Sequence, residues 1–201
     1  MKVLSIIAFV FVFLTVSKSH SQELELSGGL TYKYLLGKQR ALYAPVFGFE
    51  IGAARQEQAP FSADMIAWGA NVGVFKMHRT DSEGVGQSQQ IVETKAIFRY
   101  DYYYNDYFSF FYGAEAGFSF TTLQSDQPMI SSENNSTQLF TRGIIAPNGG
   151  INFEINRYIA LYYKLQYDLG KYFGPQPNWG SPSSKWNHLT TQTAGLRVRF
   201  W

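Results

Sequence analysis

The chain has 201 residues, 17 Lys and Arg against 15 Asp and Glu, no cysteine, and 17% aromatic residues, including 14 Tyr and 17 Phe. That length suits one domain, and no Gly/Ser/Pro-rich linker divides it. A chain without cysteine has neither a disulfide framework nor a lipid-bearing Cys, and the near-balanced charge argues against the basic patch that nucleic-acid binding needs.

Residues 1–21 read as a cleaved secretory signal, with Lys2, an apolar run over 3–16, and Ser19-His20-Ser21 before Gln22. The run is about 14 residues long, short of the roughly 20 that a transmembrane helix needs, and no comparable stretch follows. Cleavage would remove Lys2 and Lys18 and leave residues 22–201 formally neutral. The aromatic surplus exceeds what a soluble core of this size requires and fits the interface girdles of a membrane β-barrel.

Period-two alternation then marks eight strands in order. The first sets Leu24, Leu26, Leu30, Tyr32 and Tyr34 against Glu25, Ser27, Thr31 and Lys33. The second sets Phe47, Phe49 and Ile51 against Gly48, Glu50 and Gly52, and the third sets Ile66, Trp68, Ala70, Val72 and Val74 against Ala67, Gly69, Asn71 and Gly73. In the fourth, Val92, Thr94, Ala96, Phe98 and Tyr100 oppose Glu93, Lys95, Ile97, Arg99 and Asp101. In the fifth, Phe108, Phe110, Tyr112, Ala114, Ala116, Phe118 and Phe120 oppose Ser109, Gly113, Glu115, Gly117 and Ser119. The sixth sets Leu139, Ile145, Ile151 and Phe153 against Arg142, Asn148, Asn152 and Glu154, with a bend or bulge expected at Pro147 and Gly149-Gly150. The seventh alternates Ile159, Leu161, Tyr163, Leu165, Tyr167 and Leu169 with Lys164, Gln166 and Asp168, and the eighth alternates Ala194, Leu196, Val198 and Phe200 with Thr193, Arg197 and Arg199. The fold expected is an all-β, eight-stranded antiparallel up-and-down transmembrane barrel. Long connections (35–43, 77–88, 122–137, 170–187) alternate with short ones (55–60, 103–106, 156–157), as outer loops and periplasmic turns do. Both termini are then periplasmic, and Tyr102, Tyr103, Tyr104 and Tyr107 form a periplasmic girdle.

The pattern resembles the small outer-membrane β-barrels, the group that includes the OmpA and OmpX barrels, and especially their counterparts in Bacteroidetes. The sharpest local element is Ala194-Gly195-Leu196-Arg197-Val198-Arg199-Phe200-Trp201, in which Leu196, Val198, Phe200 and Trp201 look like the terminal signal read by the barrel assembly machinery. The resemblance implies outer-membrane lipid as the surrounding solvent and that machinery as the partner during insertion.

The parities send Glu25, Lys33, Glu50, Glu93, Lys95, Arg99, Asp101, Glu115, Arg142, Glu154, Lys164, Asp168, Arg197 and Arg199 into the lumen, an equal number of anions and cations. An eight-stranded interior is just wide enough to be filled by side chains, so a closed ion-pair network is expected, with a narrow gated pore as the alternative. Tyr172, Phe173, Trp179 and Trp186 form an aromatic set in the fourth outer loop, suited to a protein partner in the outer membrane or to folding back on the rim.

Enzymes that modify lipid A exist on this fold, and a deacylase would carry a His-x-Ser pair. Here His78 and His188 are each followed two residues on by a Thr, Thr80 and Thr190, with Asp81 near the first alone. No catalytic residue is assigned. Two isolated His without Cys make no metal site, no cofactor is implied, and Asn134-Asn135-Ser136-Thr137 reads as polar loop. The expected role is structural or protein-binding, without enzymatic activity.

Overall fold

The computed structural model describes residues 23–36, 44–78, 87–125, 139–173 and 186–200. The expected signal 1–21, Trp179, Trp201, Thr80, Asp81 and 134–137 lie outside the described residues, as does the side chain of His78.

Alternating side chains leave each strand with one apolar and one mostly polar face, which a sheet reconciles by closing with the polar face inward. The strands are β1 (Glu23–Leu35), β2 (Val46–Gln58), β3 (Met65–His78), β4 (Gln87–Tyr103), β5 (Phe108–Ser125), β6 (Leu139–Asn156), β7 (Ile159–Phe173) and β8 (Trp186–Phe200). They pair antiparallel in sequence order and close through β1 and β8. Partners followed once round the wall, from Leu26 through Ala53, Ala70, Ala96, Ala116, Ile145, Leu169 and His188, return to β1 at Leu36, ten residues from the start. A stagger of that size on eight strands corresponds to a tilt of roughly 40°.

The strands run further toward the long connections than the sequence indicates. Tyr172 and Phe173 lie on β7 and Trp186 on β8, not in a loop. The short connections shift by a few residues: the first turn follows Gln58, so Arg55 belongs to β2, and the second follows Tyr103. In β6 the expected bulge at Pro147 is absent. The β6–β7 register is the same on both sides of it, and the irregularity falls between Glu154 and Asn156, beside the tight turn to β7. Proline lacks only its own N–H, and an outward-facing Pro147 removes one ladder bond without adding a residue.

The outer face is apolar over most of its height. Leu30, Phe47, Phe49, Ile51, Phe98, Phe110, Phe118, Ile145, Ile151 and Leu165 are all exposed. In water such a continuous surface would far exceed what monomeric proteins tolerate. Aromatic side chains cluster toward the turn end, among them Tyr102, Tyr104, Tyr107, Phe108, Phe153 and Phe200. Tyr103 instead has the inward parity and is half-buried, so it is not part of that girdle. The turn between β2 and β3 holds Phe61 fully exposed at φ 61°, the left-handed region that bulky residues avoid.

Candidate functional site

The inward face consists of three layers. All fourteen charged residues assigned to the lumen by parity are buried there. They divide into two clusters, each with as many anions as cations.

Toward the long connections, Lys33 reaches Glu93 at 2.7 Å and Asp168 at 3.1 Å. Lys95 bridges Glu115 at 2.9 Å and Glu93 at 3.6 Å, and Arg142 reaches Glu93 at 3.3 Å. Lys164 joins Glu115, at 2.8 Å, to Glu50. Asn71 donates to Glu115 at 3.0 Å and Thr191 to Asp168 at 2.9 Å.

The second cluster, toward the turns, uses arginine alone as cation. Arg99 bridges Glu25 at 2.9 Å and Asp101 at 2.8 Å; Arg199 grips Glu154 through both terminal nitrogens, at 2.8 and 3.2 Å. Arg197 donates to Asn152 at 2.7 Å and lies 3.5 Å from Asp101. Gln56 donates to Glu25 at 2.8 Å, and Ser109 to Glu154 at 3.1 Å. Buried charge is tolerable only when paired, and each charge in both clusters meets an opposite one, although Glu50 Oε2, Arg197 Nε and Arg199 Nε make no hydrogen bond.

Two inward rings serve the Arg cluster. The Arg197 guanidinium sits 4.3 Å from the Phe111 ring centre and 4.6 Å from that of Tyr162, and Arg99 lies 5.8 Å from Phe111. Weakly hydrated guanidinium groups stack on aromatic faces in this way.

Above the Lys cluster the lumen turns apolar. Leu35, Val46, Phe75, Ile91, Phe140, Tyr172 and Leu189 form one buried group, each from the loop end of a strand. The Phe75 ring also lies under the Lys33 ammonium, 4.3 Å from its centre. Glycine makes room for this ring: a Cβ on Gly73 would come within 2.8 Å of Phe75, and one on Gly48 within 2.3 Å. Sequence parity places the charged residues, and Phe75, Phe111, Tyr162 and the cap residues share the same inward parity. An apolar side chain on the lumen side does not stand out in a pattern where inward is mostly polar.

The aromatic loop set separates in the structure. Tyr172 is buried in the cap, whereas Phe173 and Trp186 are exposed, with Lys171 Nζ 5.5 Å from the centre of the Trp186 ring. His188 and Thr190 share the outward face of β8, and His188 Nδ1 is 3.0 Å from the Tyr167 hydroxyl. Leu196, Val198 and Phe200 also face outward, opposite Gly28, Leu26 and Leu24 of β1. Among the described residues no group of three or more His, Asp or Glu is placed to hold a metal ion.

No protein-family model and no curated protein matches the sequence. Solved structures do match. Neisserial surface protein A aligns at a TM-score of 0.59 and 11% identity, covering 92% of this chain and 100% of its own. A major outer membrane protein from Thermus thermophilus aligns at 0.53 and 13%, covering 90% and 100%. Ail, the attachment invasion locus protein of Yersinia pestis, aligns at 0.52 and 15%, also covering 90% and 100%. At such identities the likeness is one of fold. Strand number, pairing order and lumen agree with it: the chain has the fold of the small outer-membrane β-barrels, of the OmpA and OmpX type.

Proposed function

We propose that this chain is an integral outer-membrane protein, exported with residues 1–21 removed, whose role is structural or protein-binding, as a subunit that offers its loops or its barrel wall to another protein. Both termini stand on the periplasmic side, and the terminal strand is read by the barrel assembly machinery. The observation that carries this reading is the lumen. Its charges are engaged with one another, and the apolar cap closes it toward the loops, which supports a strut and not a conduit or a reaction chamber. Activity directed outward then falls to the exposed wall and the loops. The fold partners named for attachment or for a surface location fit a protein that works through its outside.

Extraction of the native protein from its own membrane in mild detergent, with native mass and identification of whatever accompanies it, tests this. A stable complex is the expected result. A barrel that runs alone, together with a change in lipid A when the protein is deleted, would refute it.

A further inference from the structure

On β4 to β6 the outward residues at mid-wall are apolar apart from Thr94, among them Ala96, Phe98, Ala116, Phe118 and Ile145. The β7–β8 wall differs. Gln192, Thr190 and His188 succeed one another on the outward face of β8, opposite Leu165, Tyr167 and Leu169 of β7, with Tyr163 one step diagonally from Gln192. The Tyr163 hydroxyl donates to Gln192 Oε1 at 3.0 Å, while Gln192 Nε2 donates to no described residue. At the tilt given above, Gln192 lies roughly 20 Å along the barrel axis from Phe200 and roughly 15 Å from Trp186, between the two interfaces. Water cannot reach an amide there, and an unmet donor facing hydrocarbon is costly.

We infer that the β7–β8 wall is a two-fold interface between two copies of this chain, with the amide of Gln192 at its centre. The inference rests on the reading that the barrel spans a membrane. Copies inserted by one route all point the same way, so a two-fold axis along the membrane normal sets each height of the wall against itself. A carboxamide, a threonine hydroxyl and a tyrosine hydroxyl each both donate and accept. The ribbon is therefore self-complementary, where a ribbon of one charge would repel its copy. Ala194, directly below Gln192 on the same face, is small enough for the two walls to approach.

Because the chain has no cysteine, a single engineered thiol reports on itself. Ala194→Cys is introduced into the full-length protein in its native membrane and treated with a short bis-thiol crosslinker, with Ala116→Cys on β5, outside the proposed interface, as control. The expected result is a dimer band about tenfold stronger for the thiol at 194 than at 116, falling to the level of the control when Gln192→Leu is added. Equal bands at both positions overturn the interface, as does capture of a chain of different mass at 194. Carbonate extraction run on the same membranes separates the two levels of claim. A carbonate-resistant protein without the band loses only the interface, whereas a carbonate-soluble one loses the membrane reading as well.

Discussion

Lys33 and Glu93 are 60 residues apart in sequence and on non-adjacent strands, yet their charged atoms meet at 2.7 Å across the lumen. This pair links β1 to β4, which share no backbone hydrogen bonds, so the lumen ties the wall together from inside. Glu93 also faces Lys95 and Arg142. Glu93→Gln leaves an excess of buried positive charge and should destabilise the barrel by about 3–5 kcal/mol. Urea unfolding in lipid vesicles, followed by the shift between folded and unfolded bands on an unheated gel, measures it. An unchanged midpoint would mean that the network contributes little.

Gly73 is small because Phe75 needs the space. Gly73→Ala would press a methyl group within 2.8 Å of the ring, and the displacement should cost about 1–3 kcal/mol. Adding Phe75→Leu to that variant should recover part of the loss, because the ring atoms in conflict are gone. If the double variant is as unstable as the sum of the two singles, the ring is not the cause.

The turn between β2 and β3 is braced by Asp64. Its carboxylate accepts from Ser62 Oγ at 2.6 Å, from the Tyr100 hydroxyl at 2.6 Å and from the Tyr103 amide at 3.2 Å, and these bonds hold its pKa below the ordinary 3.8. Since the folded-state value is the depressed one, the stabilisation is complete above the unfolded value and disappears as pH falls through the folded one. The amide resonance of Phe61 should therefore titrate with a midpoint below about pH 4. Asp64→Asn should abolish that titration, and a midpoint above pH 4 would contradict the bracing.

His188 and Thr190 share a face of the wall, but the His188 ring is engaged by Tyr167 and no carboxylate lies on the outward face of β7, β8 or β1 among the described residues. An imidazole without an orienting acid is a poor base for a hydroxyl. His188→Ala should leave the lipid A mass profile of the cells unchanged. Loss of an acyl-chain modification in that variant would make this wall an enzyme site.

Much of this fold was legible because a barrel wall imposes period two on every strand, as the run from Phe108 to Phe120 shows. The fourteen charged lumen positions followed from the same parity. What escaped was set by neighbours remote in sequence. Tyr172 reads as a loop aromatic until β7 is seen to extend to Phe173. Arg55 has outward parity, yet it is buried on the wall with its guanidinium 5.8 Å from the centre of the Trp68 ring. The division of the lumen into a Lys cluster and an Arg cluster depends on the stagger between strands. Alternation within one strand contains no information about that stagger.

Paired charge fills the lumen, and apolar side chains cap it. Single-channel recording of the protein in planar bilayers, with insertion checked by the gel shift of the same sample, tests it most directly. The sealed lumen predicts a flat trace without discrete steps, and Phe75→Ala with Leu189→Ala should admit more leakage than the native chain. Stable unitary openings from the native protein would contradict a sealed lumen, because an ion would then be crossing the layer formed by Leu35, Phe75, Phe140 and Leu189.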